Sequence, residues 1–376
     1  MTPLTVSEFE PRVPAMLGLL RQMVEIETPT GDKARLDSLG ELVAREMSGS
    51  GAQVQREGQT SAGDHWVGKW GSGPGGALLL THLDTVYPRG TLSRTPWRET
   101  DDRILGPGVL DMKGGVALAL TVLGALHDLG RLPSRRVTLL CTSYEETGSH
   151  SSRTLIEKLA REHEVVFCLE PGLPDGSVKT WRKGIGDFEL EVTGRAAHAG
   201  ANPEAGVNAI QEMAAQIESL RRISDSDPGT TVNPAVIVGG TVSNVIPDSC
   251  RLSVDIRVTD PQAQAKAQRE LDRLAPIHPG ARLQVRGEWN RPPMPRSASI
   301  AVTFERVRDI GRTLGLAVTE GGSGGGSDAN FVAPLGKGLL DGLGTVGNSA
   351  HSEREHIVRA SLPSRAALLA ACLTEW

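Results

Sequence analysis

Cysteine is scarce and scattered in this 376-residue chain. Its four thiols, Cys141, Cys168, Cys250 and Cys372, show no C-x-x-C spacing, which argues against a zinc ribbon and against a secreted disulfide framework. Cys141 and Cys168 lie inside apolar runs and read as buried, reduced thiols. Basic charge is not in excess: 40 lysines and arginines against 45 acids leave a formal net charge of −5. Neither nucleic acid nor an anionic membrane is therefore expected as a partner. No stretch reaches the roughly 18–20 consecutive apolar residues of a membrane span. The opening MTPLTVSEFEPRVP, with its acids and prolines, lacks the apolar centre of a signal peptide. Internal repeats are missing too, and the expectation left standing is a cytoplasmic enzyme.

Length favours about two domains of 100–200 residues. Apolar positions at helical spacing run over 13–26, 36–47 and 116–129, with strand-like runs at 53–57, 66–70, 77–80, 137–141 and 165–169. A helical pattern at 154–160 separates the last two. Such alternation predicts an α/β fold: a mixed, mostly parallel sheet with helices on both faces. After Pro171 the texture changes to alternating strands (188–192, 252–258, 283–286) interleaved with helical patterns at 207–220 and 262–274. Residues 183–290 are therefore read as an inserted α+β domain within a catalytic domain formed by 1–182 and 291–376. Prolines 292, 293 and 295 mark the return, and GSGPGG at 71–76 reads as a hairpin turn.

Metal-type ligands stand at strand ends. LLLTHLD ends in His82 and Asp84, TLLCTSYEE in Glu145 and Glu146, and VVFCLEP carries Glu170. Asp111 lies in the glycine-rich GPGVLDMKGG, and His351 in GNSAHSE. Open α/β sheets bind ligands beyond the carboxyl ends of their strands, so these side chains can meet in one crevice. Each alone has a bland reading: H-x-D as a solvated strand end, paired glutamates as surface acids or a helix start. Yet ionised carboxylates on apolar strands are costly near a core unless something compensates them, and no basic residue stands beside them in sequence. Two zinc ions would need one bridging carboxylate, two imidazoles and two more carboxylates. Asp111, His82, His351, Glu146 and Glu170 supply that set. Glu145 is left to take a proton from the attacking water, and Asp84 to bond the other nitrogen of His82.

The ordered set His82-x-Asp84, Gly106-x-Gly108-x-x-Asp111-Met-Lys-Gly-Gly, Glu145-Glu146-x-Gly148, Glu170-Pro171 and His351 resembles the co-catalytic zinc exopeptidase and deacylase family. Glutamate carboxypeptidase, acetylornithine deacetylase, succinyl-diaminopimelate desuccinylase and aminoacylase belong to it. The likeness extends from about residue 65 to 357, and local motifs lean toward the glutamate carboxypeptidase group. By that resemblance His82 and Glu170 bind one zinc, Glu146 and His351 the other, and Asp111 bridges. Cobalt or manganese would tolerate the same ligands, and the peptide after Asp111 is expected to be cis. GRAAHAGANPEAGVNA contributes His198, which would steady the tetrahedral intermediate, commonly across a homodimer formed by the inserted lid domain. Asn244 in GTVSNVIPDSC, Arg257 in SVDIRV, and backbone N–H groups of Gly325 and Gly326 in GGSGGGS would take the substrate's carboxylate. The implied activity is hydrolysis of a small N-acyl or N-aminoacyl amino acid with a free carboxylate.

Two rivals differ in kind. Gly321-x-Ser323-x-Gly325, with Asp341 and His351 downstream, fits a serine-hydrolase pattern but leaves five of the acids and imidazoles unexplained. A metal-binding homologue that no longer catalyses would have no need of Glu145.

Overall fold

The computed structural model describes residues 4–225 and 229–376. Tertiary contacts divide it into two units. One comprises the chain up to Trp181 with Arg296–Ser323 and Ser327–Trp376, and the other Arg182–Pro295 with Gly324–Gly326. The sequence reading drew the insertion at 183–290. Its return lies later because Arg182 and Met294 exchange both backbone hydrogen bonds (2.9 and 3.0 Å). Gly325 and Gly326 join the second unit through their carbonyls, which accept from Arg182 Nη1 at 3.1 and 2.9 Å.

The first unit opens with α1 (Val13–Glu25) and α2 (Lys33–Gly49), the latter capped by the Asp32 side chain. Strands β1 (Gln53–Glu57), β2 (His65–Trp70), β3 (Gly73–His82), β4 (Arg98–Glu99) and β5 (Arg103–Leu105) precede α3 (Gly114–Asp128). Then come β6 (Arg135–Thr142), α4 (Arg153–Glu162), β7 (Val165–Cys168) and β8 (Val178–Arg182). The insertion contributes β9 (Gly184–Thr193), α5 (Ala209–Asp225), β10 (Thr231–Gly239), β11 (Ser249–Val258), α6 (Pro261–Asp272) and β12 (Arg282–Arg291). The chain returns through α7 (Ala298–Thr313), β13 (Glu320–Ser323), β14 (Gly338–Leu340), β15 (Gly347–Asn348), β16 (His356–Val358) and α8 (Leu362–Glu375).

The first unit's main sheet has the order β1-β2-β6-β3-β7-β14. Its β6–β3, β3–β7 and β7–β14 pairs are parallel, and β1–β2 and β2–β6 antiparallel. Alternate strand residues Ala77, Leu79, Val137, Leu139, Val165 and Phe167 enter one core with the apolar faces of α1, α2, α3 and α8. Their neighbours Leu78, Leu80, Leu140 and Val166 are buried on the opposite face, where α4 packs against β3. Burial on both faces is why these strands are apolar throughout rather than alternating.

Two expectations need correction. GSGPGG makes no hairpin, because β6 lies between β2 and β3. Its glycines instead let β3 approach β6: Gly76 sits at φ +85, and a Cβ there would meet Arg136 O at 1.9 Å. Nor are all segments too short and polar for a membrane. Val109–Asp128, though interrupted by Asp111 and Lys113, is long and apolar enough to cross one by length and composition alone, with mean hydropathy 1.6 over its most apolar window. That window is 83% buried within the protein, and Asp111 and Met112 have non-helical dihedrals, so the regular helix starts only at Gly114. It is a core helix.

The second unit is an antiparallel sheet, β10-β11-β9-β12. Leu190 and Val192 of β9 and Leu252, Val254, Ile256 of β11 face Ala209, Met213 and Leu220 of α5 and Ala263, Ala267 and Leu271 of α6. The sequence reading passed over β10. Pro234 interrupts its ladder at a register shift, which an edge strand tolerates because one side needs no donor.

One buried acid pins this unit's helix to a loop. Glu212 of α5 accepts from the amides of Ile277 (3.0 Å) and His278 (2.8 Å), from Gln216 and from the His278 ring. Burial alone would raise its carboxyl, but these bonds outweigh burial and bring it down to about 2. A depressed acid contributes stability above its unfolded value and loses it as pH falls toward the folded one. Glu212→Gln is therefore expected to cost about 2 kcal/mol at pH 7 in urea unfolding, with the gap from wild type narrowed at pH 3 and closing only as pH falls through about 2. An equal gap at both pH values would rule out the charged bonds as its source.

Candidate metal centre

Strand order explains why the ligands meet. In β6-β3-β7 all three strands run the same way, so their carboxyl ends are neighbours. His82 is the last residue of β3, Glu145 and Glu146 open a single helical turn after β6, and Glu170 follows β7. A second sheet, β15-β16-β5-β4, delivers the other two. β5 runs into the turn that holds Asp111, while β15 and β16 flank the loop of His351 and pair with β5 through β16. Ser349 and His351 adopt φ +66 and +61, the left-handed region that costs non-glycine residues about 1–2 kcal/mol. The Asp111–Met112 peptide is cis.

The geometry about Asp111 is nearly symmetric. Its Oδ1 lies 3.2 Å from His82 Nε2, and its Oδ2 3.1 Å from His351 Nε2. His82 Nε2 is in turn 3.5 Å from Glu170 Oε1, and His351 Nε2 is 3.4 Å from Glu146 Oε2. Ligand atoms of His82, Glu145 and Glu170 fall within 4.8 Å of one another, as do those of His82, Asp111 and Glu146.

Asp84 approaches the other nitrogen of His82 with its main chain as well as its side chain. The nearest acceptor to His82 Nδ1 is the Asp84 backbone carbonyl at 3.0 Å, with the carboxylate at 3.4 Å. A donor at Nδ1 leaves the Nε2 lone pair free for a metal, so the tautomer is set mainly by the main chain. The Asp84 carboxylate also accepts from Glu145 N (3.1 Å), Glu146 N (3.1 Å) and Thr30 Oγ1 (2.8 Å). It holds the turn that presents both glutamates.

The donors fit a cation. Glu146 Oε1 is buried with no hydrogen-bond partner, and burial pushes the Glu146 carboxyl up to about 7. Hydrogen bonds to Asp111 and Glu146 raise His351 to about 11. Burial would lower His82, but Asp111, Asp84 and Glu170 together raise it well above the ordinary imidazole range. The imidazoles hold Asp111 far below the carboxylate range despite its burial. Such a site takes up protons where positive charge is wanted, and mixed imidazole and carboxylate donors suit divalent transition ions.

The remaining candidates belong to the second unit. His198 Nδ1 accepts from the amides of Gly200 and Ala201, both at 3.1 Å. A neutral ring therefore carries its proton on Nε2, as a donor. Asn244 lies alongside, its carbonyl accepting from Ala199 N at 3.0 Å. Arg257 makes a two-pronged bond to Asp255 (2.7–3.0 Å). At Gly326 a Cβ would meet Ile185 and Arg291 side chains at 2.6 and 2.7 Å, so these would have to shift to admit any other residue.

The serine-hydrolase reading fails on geometry. Ser323 ends β13 with no regular helix directly after it, Asp341 accepts from Ser327 Oγ at 2.7 Å, and His351 faces Asp111 and Glu146. Sequence reasoning also missed residues that brace the site. Glu355, in a charged SEREH run that looks solvated, is 1% exposed and accepts from the amides of Leu110 and Asp111. Asp328 accepts from Thr142 and Ser149 on either side of the Glu145 turn.

A mixed, mostly parallel α/β sheet whose strand ends gather carboxylates and imidazoles makes this a candidate metal centre. The profile of Peptidase family M20/M25/M40 matches residues 78–375, and the chain belongs to this family. It is 33% identical over 369 residues to carboxypeptidase G2 of Pseudomonas sp. (strain RS-16), covering 94% of this chain and 87% of that protein. Acetylornithine deacetylase of Proteus mirabilis (strain HI4320) is 28% identical over 269 residues, 65% of this chain and 67% of the relative. Among solved structures, a tripeptidase from Staphylococcus aureus subsp. aureus Mu50 superposes with a TM-score of 0.81 at 21% identity, over 96% of this chain and 98% of that one. That last likeness concerns the fold. The chain is thus a hydrolytic enzyme of the carboxypeptidase or deacylase kind, acting on small molecules.

Asp84→Asn can accept only one of the two glutamate amides. Hydrolysis is expected to fall about 10–100-fold in a folded protein. An unchanged rate would deny Asp84 its part in holding the turn.

Proposed function

We propose that this enzyme uses two zinc ions to hydrolyse the amide bond of N-acyl or N-aminoacyl amino acids bearing a free carboxylate, C-terminal glutamate among them. The symmetry about Asp111 carries the reading: each of its oxygens faces one imidazole, and each imidazole faces one further carboxylate. In this scheme His82 and Glu170 would hold one ion and His351 and Glu146 the other, with Asp111 as the shared ligand. When bound, the ions supply Lewis acidity to the scissile carbonyl and to the attacking water. Glu145, only 8% exposed and with its amide held by Asp84, accepts the water's proton and returns it to the leaving amine. His198 donates from Nε2 to the oxyanion that develops at the carbonyl.

Arg257, Asn244 and the amides of Gly325 and Gly326 take the substrate's carboxylate. Arg257 exchanges Asp255 for it, one two-pronged carboxylate bond for another. The second unit serves as lid and as the contact of a homodimer. Support for the dimer comes from β10, an edge strand whose Val236, Ile237 and Val238 are 58, 53 and 69% exposed. An unpaired apolar edge is a template for a second chain. The four buried cysteines form no disulfide among the described residues, which suits a reducing, cytoplasmic setting. The acyl group divides carboxypeptidase from deacylase action, and the acetylornithine deacetylase likeness keeps the second within the same chemistry.

The test is amine release from N-acyl amino acids and dipeptides by zinc-loaded, chelated and Glu145→Gln protein. Activity should require metal, prefer a free carboxylate and fall at least about 1000-fold in Glu145→Gln. Metal-independent cleavage would defeat the scheme. For the dimer, Val236→Lys with Val238→Lys should halve the mass seen by light scattering, and an unchanged mass would move the contact elsewhere.

A further inference from the structure

The turn that carries Asp111 leaves a backbone problem which the helix after it does not solve. Asp111 and Met112 have φ/ψ of −115/99 and −128/35, outside the helical region, while Leu110 and Met112 are buried. The amides of Leu110 and Asp111 need an acceptor where water does not reach, since an orphaned buried N–H costs roughly 1–3 kcal/mol. Both converge on a single atom, Oε1 of Glu355, at 2.8 and 3.0 Å. Glu355 is brought there by the small sheet: it immediately precedes β16, whose His356 pairs with Leu105 of β5 just before the turn.

The other carboxylate oxygen of Glu355 meets the hydroxyl of Tyr87, which also faces the Ser352 carbonyl at 2.9 Å. Tyr87 follows His82 and Asp84 by a few residues, and Ser352 adjoins His351. One side chain therefore joins the segments of His82, Asp111 and His351, so the two imidazoles and the carboxylate between them cannot shift independently.

We propose that Glu355, braced by Tyr87, is the positioning residue that sets Asp111 between the two imidazoles by gripping its backbone amide. The proposal rests on the reading of Asp111 as the bridging ligand. Outer partners that orient a ligand typically govern affinity for the ion as well as activity.

The test titrates metal-free protein with cobalt(II), following visible absorption and competition with a chelator, and records a melting curve for each variant. Glu355→Leu keeps the bulk and removes the acceptor. It should weaken cobalt binding about 10–100-fold and change the absorption bands. Glu355→Gln retains an oxygen for both amides and an N–H for Tyr87, and should restore affinity to within about threefold of wild type. Tyr87→Phe should lose several-fold. A folded Glu355→Leu with wild-type affinity and spectrum overturns the proposal. So does a Glu355→Gln as weak as the leucine variant, which would make charge rather than position the cause. Should the leucine variant not fold, Tyr87→Phe decides, and wild-type affinity there overturns it. Asp111→Ala runs alongside: if it binds two cobalt ions as tightly as wild type, the bridging reading itself has failed. If it loses them while Glu355→Leu does not, the bridge stands and only the positioning role falls.

Discussion

Four carboxylates, from Asp111, Glu145, Glu146 and Glu170, meet two imidazoles beside an apolar core, and so many negative charges persist there only if something positive joins them. In the protein alone the histidines and Glu146 meet that demand by holding protons, which is why His351 rises to about 11 and Glu146 to about 7. The same mixed donors suit a divalent cation. The crowding costs folding free energy by itself, so the structure around it must be stiff.

That stiffness comes from two layers. The sheet is the first: adjacent parallel strands end together, placing His82, the Glu145 turn and Glu170 side by side. Side chains of a second rank form the other. Asp84 grips the amides of both glutamates, Asp328 ties Thr142 and Ser149 on either side of them, and Glu355 grips the amides at Asp111. In each case a carboxylate holds groups that flank or carry the ligands. Long-range pairing supplies the contacts, and short charge-assisted bonds fix the angles.

The second unit follows a different economy. Its sheet has one buried face, made by the alternating residues of β9 and β11, and so keeps a free face and a free edge. His198 Nδ1 accepts from two backbone amides, and Arg257 is paired with the carboxylate of Asp255 two residues before it.

Much was legible beforehand. Continuous apolar runs at β3, β6 and β7 revealed a doubly covered sheet, since only burial on both faces removes alternation, and the acids ending those runs exposed the site. Alternation at β9, β11 and β12 likewise separated the second unit. What stayed hidden depended on contacts distant in sequence. β10 carries a proline, and only its place at a sheet edge makes that acceptable. GSGPGG resembles a turn until β6 is seen to lie between its flanking strands. Glu355 looks like one member of a solvated charge run until β16 pairs with β5 and buries it. Composition and periodicity determined most of the longer strands, β10 excepted, and which residue types could bind a metal, because burial and ligand chemistry are local properties. Strand order decided which of those residues touch, because a partner at distance is chosen by the sheet and not by the residue.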